Sequence, residues 1–432
     1  IYNTKVGSIF DTKDIIFKNN KTREFIEQGT DCLEIITRFC NQNNIEIFWT
    51  MRMNDVHDNH GAEYSKTMFE ANKFKKENPD CLISSYSDRP PYGAGTAANF
   101  EKEAVRKLVL DSFKEIMGNY NIDGILMDFF RHPVFFKEPA YGTPATQEQL
   151  DIMTNLVKEV YSLADEYGRK RRRPILTAVR VPDSVPFCKI IGLDIEAWLQ
   201  QGIVDLLITS SYLQLNGWEY SVALGHRYGV PVYPSLDESR VRDEKARNMR
   251  HTLKAFRGRV MNVWKSGADG VYIFNNSGLK RDDLIACIHE PLDDPTLYAD
   301  YDKDYFVSIR GVGAVAGSCY PHNKFINIPV LNPANPLTIP PEGKEYTFIE
   351  MGNEGLGKIP KTYRLKLFLN VNTVADIEVF FNGGRLPQSE VEENAYDIDD
   401  KLIKAGTNTV FIYNPSKEKL TVKDVMVQVR AM

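Results

Sequence analysis

Asp128 stands where a charged group is hardest to accommodate. It follows four apolar or small positions in DGILMDFF (123–130) and is flanked by Phe129 and Phe130. An ionised carboxylate is costly there unless it is paired or hydrogen-bonded. Arg131 or Arg52 could supply the pairing, which leaves two roles open: a nucleophile or base, or a buried anchor for an arginine. The densest polar run, RMNDVHDNHG (52–61), directly follows the apolar segment IEIFWTM. Imidazole and carboxylate are the usual ligands of divalent metals, so Asp55, His57, Asp58 and His60 could hold one. They crowd into a single loop with no HExxH-like helical spacing, which favours hydrogen bonding to a substrate. No metal and no other cofactor is expected.

Hydrolysis of a glycosidic bond needs two carboxylates, one protonated to release the leaving group and one ionised to attack or to activate water. Asp128 is expected as nucleophile or base and Glu238 as general acid, with Asp237, Asp55, Asp58 and Glu219 as rivals for the second place. The Asp237–Glu238 pair also suits the N-cap and first turn of a following helix. Other polar groups close other apolar runs: Arg131 and His132, Arg180 and Asp183, Tyr212 with Gln214, Asn216 and Glu219, then Asn275 and Asn276. Arg52, Asn54, Asp55, His57, Asp58, Arg131, His132, Arg180, Tyr212, Asp237 and Asn275 are expected to bind substrate. Guanidinium pairs bidentately with carboxylate, so an anionic sugar is one option for the substrate. The same arginines could instead neutralise Asp55, Asp58 and Asp128.

These groups need a scaffold that gathers strand ends. Between about 24 and 290, strand-like runs (45–52, 123–130, 174–181, 204–212, 230–236 and 269–276) alternate with amphipathic stretches such as 101–117, 147–168 and 243–258. That alternation implies βα units and a parallel sheet. Most of the runs are apolar on both faces, as strands covered on both sides are. With a short strand near Cys81–Ser85 and a weak first one near Lys5–Ile9, the count approaches the eight of a (β/α)8 TIM-type barrel, whose active site lies at the carboxyl ends of the strands. The weak first strand is expected to be short or to have been lost with whatever preceded Ile1, as any export signal would be. A doubly wound open sheet is the alternative, but no Gly-rich phosphate loop follows a first strand. After 290 the pattern changes to short alternating runs at 363–371, 375–383, 408–414 and 422–429, separated by Gly, Asn and Pro turns. These predict a smaller all-β sandwich. The expected division is 1–295 for the barrel and 305–432 for the sandwich. Asn382-Gly383-Gly384 reads as a hairpin turn.

The 432 residues are 43% hydrophobic and 26% charged, with a net charge of −5. That is an ordinary globular balance with no basic field for a nucleic-acid backbone. No run approaches the roughly 18 apolar residues that would span a bilayer. Six cysteines, Cys32, Cys40, Cys81, Cys188, Cys287 and Cys319, form no CxxC pair, which argues against a zinc ribbon or a thioredoxin-type site. Nothing here fixes an oligomeric state.

The segments DGILMDFFRHPVFF (123–136), RMNDVHD (52–58), DIEAWLQQGIVDLLITSSY (194–212) and ADGVYIFNN (268–276) resemble the glycosyl-hydrolase-like (β/α)8 barrel family, over about residues 1–290. The resemblance rests on a DGxxxDxxRxP-type motif, matched by Asp123, Gly124, Asp128, Arg131 and Pro133. It implies an acidic residue at the end of the fourth strand, hydrolysis of a glycosidic bond in a carbohydrate substrate, a secreted or periplasmic protein, and an accessory sandwich at 305–432. The chitinase pattern DGxDxDxE is matched only in part, because Leu126 and Phe130 replace its first inner Asp and its Glu. Two other functions stay open: a barrel that binds glycan without cleaving it, and a metal-dependent hydrolase or deacetylase.

Overall fold

A computed structural model of the chain describes residues 2–210, 213–275, 278–310, 321–370 and 377–432. Its fold is an α/β barrel-type parallel sheet followed in sequence by an all-β sandwich. Among the described residues the parallel strands are β1 (Phe48–Arg52), β2 (Gly124–Asp128), β3 (Leu176–Val181), β4 (Leu206–Thr209), β5 (Val232–Leu236) and β6 (Tyr272–Ile273). They run in sheet order β1 to β6, and each falls inside one of the six runs legible in the sequence. Two compact units divide the chain: Ile1–Thr209 with Leu224–Pro231 and Ala316–Phe325, and Ser210–Ala223 with Val232–Val315 and Ile326–Met432.

In the first unit β1, β2 and β3 pair in parallel, with Arg52, Asp128 and Arg180 in register at their carboxyl ends. Gly124 is required because a Cβ there would strike the Phe48 ring, its partner on β1. The helix Glu103–Asn119 buries Val105, Val109, Phe113 and Ile116. The helix Gln147–Arg171 starts in a capping box formed by Thr146 and Gln149, a device that stabilises a helix by about 1 kcal/mol.

The two weaker strands do not form, and the local hydrogen bonds explain why. Around Lys5–Ile9 the amides of Val6 and Gly7 donate to Thr4 Oγ1 and that of Lys5 to Glu115 Oε1, so side chains take the donors a ladder would use. Pro79–Cys81 is a 3-10 turn. Beyond it, residues 81–84 hydrogen-bond to the segment 95–99, with one isolated antiparallel bridge from Leu82 to Ala98, and join no parallel strand.

At the opposite end of the strands one device recurs. Asp123 Oδ2 accepts from Ile47 N at 2.9 Å, Asp205 Oδ2 from Thr177 N at 2.7 Å and Asp269 Oδ2 from Val232 N at 2.8 Å. In each case an aspartate just before a strand satisfies the first amides of a neighbouring strand. Asp123, the first acid of the DGxxxD motif, therefore works at the foot of the sheet, far along the strand from Asp128.

In the second unit the sandwich consists of two antiparallel sheets. One joins β13 (Ala395–Ile398), β10 (Lys361–Leu369), β15 (Leu420–Ala431) and β7 (Lys303–Phe306), with β8 (Leu337–Ile339) also on β15. The other runs β12 (Gly384–Arg385), β11 (Glu378–Phe381), β14 (Gly406–Asn414) and β9 (Gly343–Met351). Leu365, Leu367, Val425 and Val427 of the first sheet and Ile349, Val379, Val410 and Ile412 of the second are buried. The predicted hairpin is present: Phe381 pairs with Gly384, and Asn382 and Gly383 both take positive φ, 49° and 87°, as a two-residue primed turn needs.

Candidate active site

The cluster in the first unit is built from the ends of β1 and β2 and the loops they enter. The Asp128 carboxylate is paired with Arg180, and not with the Arg131 or Arg52 that proximity in sequence allows. Arg180 Nε lies 3.0 Å from Oδ1 and Nη2 2.8 Å from Oδ2. The side chains are 2% and 0% exposed. Oδ1 also accepts from the amides of Phe130 and Arg131, so the carboxylate fixes the turn that leaves β2.

That turn carries Arg131 and His132 to the loop after β1. Arg131 Nη2 lies 2.7 Å from His57 Nε2. A guanidinium can only donate, so Nε2 accepts and the ring hydrogen sits on Nδ1. Nδ1 in turn is 2.6 Å from Asp55 Oδ1, while Arg52 Nη1 reaches Asp55 Oδ2 at 2.8 Å. Burial alone would raise the Asp55 carboxyl, but the hydrogen bonds and charges of His57 and Arg52 outweigh it and hold the group well below the usual carboxylate range. The Asp55 and His57 side chains remain 35% and 24% exposed. They are the part of the cluster that reaches solvent.

The remaining members are enclosed. His132 packs edge-on against His57, with ring centroids 4.8 Å apart, and its Nδ1 accepts from Val56 N. Burial pushes its pKa down to about 3, against a smaller upward pull from Asp55. Asn54 spans three segments, donating to the carbonyls of Ala98 and Val134 and accepting from Ala98 N. Asp58 is buried against Lys75, with Oδ2 to Nζ at 2.7 Å. Lys75, on the helix Lys73–Glu77, was not legible as a partner in the sequence, since only the fold brings it to this loop. A cavity of about 530 Å³ lies alongside, with Arg52, Asn54, Asp55 and Asp58 on its polar wall and Met51, Met68 and Phe74 among its apolar lining. That is a size suited to a small ligand.

The second unit holds the other expected residues. Asp237 is fully buried between Arg310 and Arg259. Glu238 is paired with Arg240 at 2.7 Å. Neither caps the next helix, because Asp243 does so for Glu244–Arg250. Gln214 donates to Asn216 O, and Glu219 meets Lys265 at 2.6 Å. Asn275 is exposed, with φ 43°. Tyr212 and Asn276 lie outside the described residues.

Asp55, His57 and His132 each offer a ligand atom within 4.8 Å of the others. The sequence grouped Asp58 and His60 with the first two. The fold substitutes His132, and Asp58 goes to Lys75. No helix among the described residues is long and apolar enough to cross a membrane. Cys81, Cys188 and Cys287 are buried free thiols.

Neither a protein-family model nor a curated protein sequence matches the chain. Among solved structures it is similar to a glycoside hydrolase family 18 N-acetylglucosaminidase from Paenibacillus barengoltzii, at 16% identity over 57% of this chain and 89% of that one, with a TM-score of 0.32. It is also similar to the PgaB glycoside hydrolase domain from Bordetella bronchiseptica, at 10% identity over 59% and 76%, TM-score 0.38. A third is the chitinase ChiW from a Paenibacillus species, at 11% identity over 98% of this chain and 50% of that one, TM-score 0.41. The likenesses are to glycoside hydrolases, at identities and TM-scores that assign no family.

Proposed function

We propose that the chain is a glycoside hydrolase that cleaves a poly- or oligosaccharide at the carboxyl ends of its parallel strands, with 1–295 as the catalytic part and 305–432 as an accessory module. The observation that carries this reading is the chain of hydrogen bonds from Arg131 through His57 to Asp55, which ends in a partly exposed carboxylate beside a cavity. A carboxylate fixed in its ionised form suits an oxocarbenium-like transition state, because it is oriented before charge develops. Asp55 therefore takes the role of ionised carboxylate that the sequence suggested for Asp128. Asp128, enclosed by Arg180, becomes a positioning residue for the turn that bears Arg131. Glu238, which the sequence suggested as proton donor, lies in the second unit, paired with Arg240, and is given no role beside Asp55. A secreted or periplasmic site of action goes with a polymeric substrate.

The guanidiniums of Arg52, Arg131 and Arg180 are engaged by Asp55, His57 and Asp128, which favours a neutral glycan over a uronic or sulfated one. Reducing-sugar release from a panel of neutral and acidic polysaccharides tests both points. Wild type is expected to release sugar from a neutral polymer, with Asp55→Asn lower by about 10²–10⁴-fold while still folded. Release confined to acidic polymers would restore the anionic substrate. No release from any polymer would favour the non-catalytic, glycan-binding barrel.

A metal-dependent hydrolase or deacetylase is the second reading, favoured by the approach of Asp55, His57 and His132. Arg52 and Arg131, bonded to two of the three, oppose a cation there. Activity that survives exhaustive chelation removes this reading; loss restored by a divalent metal establishes it.

A further inference from the structure

The four-stranded sheet of the sandwich has one face with an unusual composition. Along β9, β11 and β14 the buried positions include Ile349, Met351, Val379, Val410 and Ile412, which are mostly aliphatic. The apolar residues on the opposite face are Tyr346, Phe348, Phe380, Phe411 and Tyr413, and no aliphatic side chain lies among them. Tyr346 is paired with Phe411, and Phe411 with Phe380, so three rings form a row across three strands. Phe348 extends the row, its ring centroid 5.5 Å from that of Tyr346 with the planes at 68°, and Phe380 and Phe411 are also 5.5 Å apart, with the planes at 74°. Tyr346 is 58% exposed.

Phe348 also lines a cavity of about 450 Å³, together with Trp218, Glu350 and Thr407. Asn262 and Arg310 line it too. Among the described residues, Asn262 Oδ1 and Arg310 Nε are buried without a hydrogen-bond partner. These two enclosed atoms belong to residues of the cavity wall, and an unpartnered buried polar atom is costly to the protein. Its charges are matched internally. Lys265 is paired with Glu219 at 2.6 Å and Glu350 at 3.7 Å, and Arg259 and Arg310 with Asp237.

We propose that the aromatic row and the cavity it leads to bind an uncharged, extended glycan chain. A pyranose ring presents a C–H face that packs on an aromatic ring, and hydroxyls that both donate and accept. Neighbouring strands about 4.7–4.9 Å apart set the rings in a row, and because adjacent rings stand edge to face, alternate rings present a face to a sugar. The balanced charges select against uronic acids, phosphates and acidic peptides, and the lack of aliphatic side chains sets this face apart from a protein-docking surface. The choice of a glycan rests on the glycoside hydrolase reading, although binding here needs no catalysis.

The test is partition of the full chain onto insoluble chitin, cellulose and a polyuronate gel, comparing wild type with Tyr346→Ala/Phe411→Ala and with the single variant Tyr346→Ser. Wild type is expected on chitin or cellulose, with the double variant at least about tenfold weaker. Tyr346→Ser, at an exposed position, is expected to retain the wild-type fold and weaken binding in the same direction. Binding to neither neutral polymer, binding by both variants equal to that of wild type, or preference for polyuronate would overturn the proposal. So would a change confined to self-association in sedimentation, which would make the face a dimer surface. Hydrolysis of a short soluble oligosaccharide separates the two readings: strip variants are expected to leave it unchanged. Wild type that binds polymer but hydrolyses nothing would sink the hydrolase reading and leave this one standing.

Discussion

Asp128 and Arg180 occupy paired positions on β2 and β3 and close a two-pronged ion pair, 3.0 and 2.8 Å, that is almost entirely shielded from water. Two opposite charges in one row of a parallel sheet satisfy each other at the point where the strands open into the functional loops. Removing either leaves the other buried without this counter-ion.

The first prediction follows from that asymmetry. Asp128→Ala or Arg180→Ala is expected to cost about 3–5 kcal/mol, while replacing both by apolar residues of similar volume is expected to recover most of the loss. Urea unfolding midpoints of the singles and the double check it. A double variant as unstable as the singles would mean that the pair does more than compensate itself.

His57 and Arg131 provide a second prediction. Arg131→Lys retains the charge but loses the planar guanidinium that reaches His57 Nε2. Turnover is expected to fall more than tenfold with KM little changed, as for a group that orients its neighbour. Equal activity of Arg131→Lys and wild type would remove Arg131 from the orienting chain.

The third concerns pH. The His132 imidazole titrates near 6.5 when unfolded but is pushed to about 3 by burial, with Asp55, Arg131, His57 and Arg52 as its charged or titratable neighbours. Between those values the unfolded state binds the extra proton, so stability falls as pH drops from about 6.5 towards 3. His132→Asn is expected to flatten this part of the stability profile. Parallel profiles for wild type and variant, followed by thermal unfolding, would refute it.

The fourth lies in the sandwich turn. Gly383, at φ 87°, is in a region that costs a side-chain-bearing residue about 1 kcal/mol or more. Gly383→Val is expected to lower stability by at least that amount, with hydrolysis unchanged. An unfolding midpoint equal to wild type would show that the turn relaxes freely.

How much of this was written in the sequence differs from one feature to the next. The six apolar runs from 45 to 276 pointed to the parallel strands, because short apolar runs rich in β-branched and aromatic residues, alternating with amphipathic stretches, suit strands of a βα repeat better than helices. The alternation after 360 determined the sandwich, and Asn382-Gly383 its turn, for reasons of local backbone sterics. Lys5–Ile9 failed to become a strand because Thr4 and Glu115 took its amides, and Glu115 lies more than a hundred residues away in sequence.

The partners of the charges were decided by tertiary structure alone. Asp128 lies beside Arg131 in sequence and yet pairs with Arg180. Asp58 lies among histidines and pairs with Lys75, and Asp237 meets Arg310 and Arg259. A charge pairs with whatever the fold brings within a few ångströms, and sheet register sets that distance, not spacing along the chain. For the same reason the sequence could supply Asp55 and His57 as candidates, whereas only the fold could set His132 beside them and leave Asp55 as the carboxylate that meets solvent.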